Sequence, residues 1–275
     1  MTWSPPPLDG TVTLVTGSTR GVGRGIVLAL GDAGATVYVT GRSTVDEASD
    51  EVTARGGRGV GVRIDHSVDA QVVALFDRVL AENDRLDVVV ANAWGGYADH
   101  DHTTFAAPLW EQPLSRWQTM YESGLRPTFT TVRAAAQAMS ARGSGLIVVT
   151  GGWDAADEYL GNVYYDVYKA ASARIVAVLA HELRAYGVAV VGVVPGFTRT
   201  EAVVAAFAAD GTEPPEVTHS PEYVGRAVAH LAADPGALEL TGRTEQVTWY
   251  ASRYAFTDLD GRRFDAFRMP PENRI

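Results

Sequence analysis

A tyrosine and a lysine stand four residues apart in the sequence, at Tyr165 and Lys169. On a helix, two residues at this spacing lie on the same face. A phenol has a pKa of about 10 in water, and a nearby ammonium group favours the phenolate and lowers that pKa. The pair could therefore pass a proton to or from an oxygen atom. The spacing alone also fits a helix that carries aromatic residues at an interface.

A glycine-rich turn, Thr16-Gly17-Ser18-Thr19-Arg20-Gly21-Val22-Gly23, could bind phosphate. It follows a short apolar segment, 11–16, and precedes Val22, Ile26 and Leu30 at helical spacing. In this position the glycines let the backbone approach a pyrophosphate, and the N–H groups at the helix start favour an anion. The turn therefore predicts a nucleotide site. A turn that only packs a helix closely against a strand is the alternative.

The end of the second predicted strand indicates which nucleotide the site would take. Strand 36–40 is followed by Gly41, Arg42 and Ser43, whereas an NAD site usually has an acidic residue there for the ribose hydroxyls. Arg42, together with Arg20 from the first turn, could pair with a 2′-phosphate. We therefore expect NADP(H) as the cofactor, with NAD(H) less favoured. Two solvated arginines beside an NAD site are the alternative.

The elements that would position these residues alternate between strands and helices. Such alternation predicts right-handed βαβ units and one parallel sheet with helices on both faces. The predicted strands are 11–16, 36–40, 60–64, 86–91, 146–150, 189–194 and 247–250. We therefore expect an α/β fold, a Rossmann-type doubly wound parallel sheet of about seven strands in three layers and one domain. Its predicted bounds are residues 10–250, with a flexible tail at 1–9 and a C-terminal extension at 251–275.

Composition argues against several other classes of function. The chain has 275 residues, a net charge of −10 and a pI of about 5.0, which disfavours nucleic acid or an anionic membrane surface as a partner. There are no cysteines, so disulfides and thiolate metal sites are excluded. We find no signal-peptide pattern and no apolar run near the ~20 residues of a membrane span, so we expect a soluble cytoplasmic protein. The run Asp99-His100-Asp101-His102 is more typical of a solvated loop than of a metal site, and no metal is expected.

Five motifs occur in a fixed order. They are the glycine turn, Asp65 after the third strand, Ala91-Asn92-Ala93, Tyr165 with Lys169, and Pro195-Gly196-Phe197-Thr198-Arg199-Thr200. In this order they resemble the short-chain dehydrogenase/reductase family, over roughly residues 10–250, and the third matches most of that family's N-N-A-G. The resemblance implies hydride transfer between nicotinamide and a small carbonyl or alcohol substrate. Tyr165 would be the acid/base, and Lys169 would tune it and hold the ribose.

The resemblance also implies a cofactor site and an oligomer. The implied cofactor-binding residues are Gly17, Thr19, Arg20, Gly21, Val22, Gly23, Arg42, Ser43, Asp65, Asn92, Tyr165, Lys169, Pro195, Gly196, Thr198 and Thr200. The family usually pairs through the helices after the fourth and fifth strands, here 115–141 and 165–186, which implies a homodimer or homotetramer. The alanine run 134–136 would allow close helix contact. Segments 180–184 and 258–262 resemble one narrower branch of the family.

Two catalytic positions of the family are glycines in this chain. Gly152 stands where the family has a serine, thirteen residues before the tyrosine, and Gly124 stands where it has an asparagine. Loss of one donor to a developing oxyanion costs about 10²–10³ in rate, so we expect a slow enzyme. The alternative is an NADP(H)-binding protein with little or no turnover, such as a sensor or scaffold. Thr150 or Tyr164 could supply the missing hydroxyl, unless those hydroxyls are packed or solvated.

The helix predicted at 115–141 contains Pro127. Because proline has no N–H, the carbonyl of Ser123, four residues back, loses its helical partner. In the family, the backbone carbonyl of the asparagine lies at a helix kink and holds a water that leads to the lysine. We hypothesise that Gly124 and Pro127 recreate this kink and hold that water.

Aromatic residues follow the carboxyl ends of several predicted strands, where open α/β sheets bind ligands. A pocket lined by aromatic residues favours a flat or apolar carbonyl compound as substrate. Packing beneath loops, or a subunit contact, is the alternative. The predicted pocket residues are Trp94, Tyr97, Thr150, Gly152, Trp153, Tyr159, Tyr164 and Phe197.

Overall fold

The computed structural model describes residues 3–96, 104–152 and 158–273. The strands in these residues form one sheet in the order β3-β2-β1-β4-β5-β6-β7, and each neighbouring pair is parallel. The strands are β1 (Val12–Val15), β2 (Thr36–Gly41), β3 (Arg58–Arg63), β4 (Val88–Ala91), β5 (Gly145–Thr150), β6 (Val188–Val194) and β7 (Thr244–Gln246). The predicted doubly wound parallel sheet is therefore confirmed.

Helices connect the strands on both faces of the sheet. They are α1 (Gly21–Asp32), α2 (Val45–Ala54), α3 (Asp69–Glu82), α4 (Ser115–Met120), α5 (Arg126–Arg142), α6 (Val163–Leu183), α7 (Glu201–Ala209), α8 (Pro221–Ala233) and α9 (Val247–Tyr254). A turn of π-helix, Tyr121–Leu125, joins α4 to α5. Short 3₁₀ turns occur at Leu109–Glu111, Arg184–Tyr186, Ala237–Leu240 and Pro271–Asn273.

The core consists of two apolar layers, one on each face of the sheet. Helices α1, α8 and α9 cover one face, with residues such as Ile26 and Val228 in that layer. Helices α3, α5 and α6 cover the other, where Leu75, Met139 and Val176 are buried. The central strands are buried on both sides, as in β4 and β6, and therefore read as continuous apolar runs. This is the predicted three-layer arrangement.

The predicted final strand at 247–250 was wrong. The last strand is β7, and Val247 begins a helix instead. Val247, Tyr250 and Ala251 are buried at helical spacing, and the Tyr250 hydroxyl donates to the Gly192 carbonyl of β6 at 2.9 Å. The β-branched and aromatic composition of this segment suits a strand, but burial of one helical face against β6 determines the structure.

The N-terminal segment predicted as a flexible tail packs against the body over its described part. Leu8 is buried in the core. The indole N–H of Trp3 lies 3.2 Å from Nε2 of His230, and the Arg226 guanidinium lies 4.6 Å from the Trp3 ring centroid. Both partners lie on α8. Residues before the predicted tail boundary at position 9 therefore pack against the same domain as the residues after it.

The C-terminal segment predicted as an extension is likewise attached to the sheet domain, and α9 crosses the predicted boundary at residue 250. Asp258 accepts the backbone N–H of Ser220 at 2.9 Å and also its hydroxyl. Farther along, the Gln246 side chain and the backbone of Phe267 exchange two hydrogen bonds, of 2.9 and 2.6 Å. The segment thus follows the carboxyl edge of the sheet. Within the part of the chain described, no helix is both long and apolar enough to cross a membrane.

Candidate functional site

One asparagine ties together the carboxyl ends of β1, β4 and β5. The side-chain amide of Asn92 donates to the carbonyls of Thr16 (3.0 Å) and Gly17 (2.9 Å). The Thr16 hydroxyl accepts the backbone N–H groups of Asn92 (2.8 Å) and Ala93 (2.9 Å). Thr150, the last residue of β5, donates its hydroxyl to Asn92 Oδ1 at 3.0 Å. These bonds hold the glycine turn at the switch point of the sheet, between β1 and β4.

The glycine turn leads directly into α1, as predicted. A Cβ added at Gly23 would lie 2.3 Å from the Gly17 carbonyl oxygen and 2.5 Å from the Asn92 amide nitrogen, so only glycine fits there. Arg20, at the N-cap position, makes no capping hydrogen bond with its side chain. The first N–H groups of α1 therefore depend on a ligand, on solvent or on another part of the chain.

A carboxylate lies at this helix N-terminus. The backbone N–H of Gly21 donates to the side chain of Glu201 at 2.9 Å. Glu201 is the first residue of α7, and Thr200 caps that helix by accepting the N–H of Val203 at 3.3 Å. A cavity of about 430 Å³ lies beside the contact, between α1, α7 and the start of α8. One N–H at the start of α1 is thus paired with a carboxylate of the protein itself, at the end of the helix that favours negative charge.

Residues predicted for the adenosine end lie where β2 and β3 end. Asp65 accepts the hydroxyl (2.7 Å) and the backbone N–H (2.9 Å) of Ser67. The hydroxyl bond foremost, then the N–H bond and the nearby Arg42 guanidinium, hold the pKa of Asp65 below its usual value. Arg42, Ser43 and Arg20 are exposed. Their side chains are therefore accessible to a ligand.

Helix α6 presents Tyr165 and Lys169 from its first two turns. Asn162 caps the helix, because its side-chain oxygen accepts the N–H of Tyr165 at 3.0 Å. The amide of the same buried residue donates to the Phe105 carbonyl and to Gln112 Oε1, both at 2.7 Å. The Phe105 ring packs against the Tyr165 ring, with centroids 6.0 Å apart. The start of α6 is therefore fixed to the segment that precedes α4.

The Lys169 ammonium lies among three aromatic rings. Its Nζ is 5.1 Å from the ring centroid of Tyr165, 5.3 Å from that of Tyr168 and 5.6 Å from that of Trp94. Burial lowers the pKa of Lys169 to about 8 and raises the pKa of Tyr168 to about 12. The predicted tyrosine and lysine are thus brought together. Tyr168 is an additional site residue that the sequence analysis did not identify.

The predicted helix after β4 is interrupted at the proline. The π-helical turn Tyr121–Leu125 precedes Pro127, which is the second residue of α5. The carbonyl of Ser123 accepts the backbone N–H of Gly95 at 2.8 Å, and Pro127, four residues on, has no N–H to donate to it. The predicted interruption is therefore confirmed. The water that we hypothesised at Gly124 stays a prediction.

Two hydroxyl groups were candidates to replace the family serine. The Thr150 hydroxyl donates its proton to Asn92, so this arrangement leaves none for a substrate oxygen. The Tyr164 ring packs against Trp117 of α4, with centroids 6.4 Å apart. Neither of these two contacts supports an assignment of the hydroxyl to a substrate oxygen.

The two glycines after β5 fit closely against their neighbours. Gly151 has φ +88°, and a Cβ there would lie 2.4 Å from Lys169 Nζ. A Cβ at Gly152 would lie 3.1 Å from both Ala173 Cα and Thr244 Cγ2. The Cβ of a serine at position 152 would therefore lie in the packed contact between α6 and β7.

The segment after β6 reaches the glycine turn. The Pro195 carbonyl lies 2.6 Å from His219 Nε2, and Thr198 pairs with His219 in an isolated parallel bridge. Thr200 then approaches α1, because its Cγ2 lies 3.5 Å from the Cβ position of Gly21. The motif at residues 195–200 therefore lies beside the glycine turn, and the two would bind the same cofactor.

The C-terminal segment contacts two of the predicted pocket residues. Phe197 packs against Phe267, with ring centroids 6.2 Å apart. Tyr159 donates its backbone N–H to the Asn273 carbonyl at 2.7 Å, and the Asn273 amide donates back to the Tyr159 carbonyl at 3.2 Å. Burial raises the pKa of the Tyr159 phenol. Three predictions, Tyr97, Trp153 and the run 99–102, lie outside the described residues.

We expect Gly152→Ser to destabilise the protein and not to restore a substrate-binding hydroxyl. The new Cβ would overpack the contact with Ala173 and Thr244, at a cost of about 1–3 kcal/mol. Thermal unfolding should show a lower Tm, by about 2–4 °C for each kcal/mol. Thr244→Ser removes the Cγ2 methyl, so the double variant should regain part of the loss. A Gly152→Ser protein with the wild-type Tm would contradict this packing argument.

Comparisons with known proteins agree with these features. The family model described as short chain dehydrogenase matches residues 11–211. The chain is 40% identical over 272 residues to dehydrogenase/reductase SDR family member 1 of Mus musculus, which covers 93% of this chain and 85% of the relative. The Homo sapiens protein of the same name is 38% identical over 274 residues, again covering 93% and 85%.

A solved structure shows the same architecture. The crystal structure of a metagenomic short-chain oxidoreductase in complex with NADP superposes with a TM-score of 0.68, at 28% identity, over 82% of this chain and 92% of that chain. The seven-stranded parallel sheet, the ordered motifs and these likenesses agree with one another. The chain therefore belongs to the short-chain dehydrogenase/reductase family, and within it to the branch of dehydrogenase/reductase SDR family member 1.

Proposed function

We propose that the protein is an NADP(H)-dependent oxidoreductase that interconverts a small carbonyl compound and its alcohol. The relatives that this chain resembles are named as dehydrogenases or reductases, and one contact supports the proposal for this chain. The Lys169 ammonium lies 5.1 Å from the Tyr165 ring, on the helix that follows the carboxyl end of β5. An ammonium at that distance favours the phenolate form and makes Tyr165 a better acid/base near neutral pH.

The residues present fit a dinucleotide. The N–H of Gly21 holds a carboxylate in this structure, and it would bind a pyrophosphate together with the N–H of Val22. Asp65 would contact the adenine and Lys169 the nicotinamide ribose. When bound, the cofactor supplies or accepts the hydride. The chain itself orients the reactants and handles the proton.

Tyr165 would move that proton. In reduction its hydroxyl would protonate the carbonyl oxygen, and in oxidation its phenolate would accept the proton of the alcohol. The cap from Asn162 and the ring of Phe105 fix the tyrosine. The aromatic residues around it favour a flat or apolar substrate.

Arginines support a preference for NADP(H) over NAD(H). Arg42 follows β2, and its charge acts on Asp65 at the neighbouring strand end. Arg20 is exposed in the glycine turn. A related structure at 28% identity contains NADP. Guanidinium groups bind phosphate through two parallel hydrogen bonds, which a ribose hydroxyl does not allow.

A second candidate function is an NADP(H)-binding protein with little or no turnover. Gly152 and Gly124 favour it, because each replaces a catalytic residue of the family. Retention of both Tyr165 and Lys169 favours an enzyme. A cytoplasmic location and the absence of nucleic-acid partners stay predictions from the sequence.

Replacement of Tyr165 by phenylalanine tests the leading function. NADPH consumption would be followed with a panel of ketones, aldehydes and quinones. We expect Tyr165→Phe to lower kcat by about 10²–10⁴, the usual contribution of a general acid, with the Kd for NADPH little changed. Tight NADPH binding without any Tyr165-dependent turnover would instead establish the binding protein.

Replacement of Arg42 by alanine tests the cofactor preference. Loss of a charge-assisted phosphate contact should weaken NADPH binding by about 10–100-fold and leave NADH binding unchanged. Arg58→Ala is the matched control, because Arg58 is exposed at the opposite end of β3. Calorimetry with both cofactors measures the effect. Equal losses for NADPH and NADH would mean that Arg42 does not read the 2′-phosphate.

We also propose that the protein forms a homodimer or homotetramer through α4, α5 and α6. These helices expose Trp117, Phe129, Val167 and Val178. Ala135, in the alanine run expected to mediate contact, is buried in the subunit core instead. The exposed large side chains are therefore the better candidates for the contact.

Sedimentation of Phe129→Asp tests that interface. A buried, unpaired carboxylate should shift the protein toward monomer. Val217→Asp is the control, since Val217 is also exposed but lies before α8. A wild-type protein that sediments as a monomer at micromolar concentration would rule out the proposal, as would unchanged assembly in the Phe129→Asp variant.

A further inference from the structure

Trp94 and Gly124 are complementary in size: the large indole occupies space beside a residue that has no side chain. Trp94 follows Ala93, at the position where the family's N-N-A-G has its glycine, and Gly124 stands where the family has an asparagine. A Cβ added at Gly124 would lie 3.0 Å from Trp94 Cδ1, 3.1 Å from Trp94 Nε1 and 3.0 Å from Tyr168 Cε2. The indole therefore fills the volume that an asparagine side chain would need.

The indole is also part of the surroundings of Lys169. It stacks on the Tyr168 ring at a centroid distance of 6.1 Å and an interplanar angle of 18°, and it contacts the Tyr165 ring at 5.8 Å. Its ring centroid is 5.6 Å from Lys169 Nζ. On the side of β5, the absence of a side chain at Gly151 leaves room for the ammonium, because a Cβ there would lie 2.4 Å from Nζ.

We propose that Trp94 is a positioning residue, which holds the Lys169 ammonium beside Tyr165 through cation–π attraction. In the family, a water held at the backbone carbonyl of the asparagine leads to the lysine, and Gly124 keeps a carbonyl at that position. Here the electron-rich face of the indole attracts the ammonium directly. The inference rests on the proposed function, because Lys169 must act on Tyr165 and the cofactor for its position to matter.

The composition of the chain makes this position measurable. Lys169 is the only lysine among the 23 Lys and Arg residues of the sequence. A protein labelled with ¹⁵N at the lysine ε-nitrogen therefore gives an NMR signal from Lys169 alone. The titratable groups that face its ammonium include Tyr165 and Tyr168, both on α6. Neither Trp94 nor Gly151, from the two other elements, titrates.

Trp94→Phe and Trp94→Leu form a matched pair. The two new side chains have similar volume, so they leave similar cavities, but only phenylalanine keeps an aromatic face. The Lys169 pKa should be lower in Trp94→Leu than in Trp94→Phe by about half to one unit, because the ring stabilises the cation. We expect kcat to fall about tenfold in Trp94→Leu and less than threefold in Trp94→Phe. Equal pKa values and equal kcat in the two variants would reduce Trp94 to a space filler and overturn the proposal.

The NMR measurement separates this proposal from the proposed function. It needs no substrate, so it reports on Trp94 even if wild-type protein shows no Tyr165-dependent turnover. That second result would refute the oxidoreductase function alone.

A restoring double variant tests the size match independently. Gly124→Asn alone should lower the Tm, because its side chain meets the indole. Adding Trp94→Gly, the family residue, should recover stability. If Gly124→Asn leaves the Tm unchanged beside Trp94, the indole does not occupy the volume of the asparagine side chain, and Trp94 and Gly124 are not matched in size.

Discussion

The hydrogen bonds of Asn92 are the constraint on which the site depends. They bind the turn after β1, the end of β4 and the end of β5 into one unit. The turn begins α1 and so directs its N–H groups. The end of β4 leads to Trp94, and the end of β5 leads to Gly151. A parallel sheet alone brings these ends to one edge, but partly buried polar bonds fix how they meet.

Around this unit, the site differs from its family through exchanges of size. A large residue, Trp94, stands where the family has glycine, and Gly124 is small where the family has asparagine. Gly151 leaves space for the Lys169 ammonium, and Gly152 lies in the contact between α6 and β7. A side chain added at position 124 or at position 152 would meet neighbouring atoms within about 3 Å. We therefore expect steric obstacles to a single reversion toward the family residue at either position.

The sequence predicted the architecture well because buried parallel strands are continuous apolar runs and the motifs fix their order. It failed at Val247–Tyr254, where helical burial overrides the β-favouring composition, and it did not identify α2 and α7 as helices. The pairing of Tyr165 with Lys169 was predictable from helical spacing. The contributions of Asn162 and Glu201 were not, because each depends on elements distant in sequence: Asn162 on the segment at Phe105, and Glu201 on Gly21, 180 residues earlier.

The contacts of the chain's two ends bear on how the protein acquires its structure. Trp3 contacts His230 across 227 residues, and Asn273 bonds to Tyr159 across 114. When synthesis has reached only the end of α6, the nascent chain does not yet contain Asn273, which bonds to Tyr159 between β5 and α6. Closing such long loops costs entropy before any contact is gained, so folding of this topology is slow relative to helical proteins. The contact of Asn273 with Tyr159, just before α6, can therefore form only after residue 273 has been synthesised.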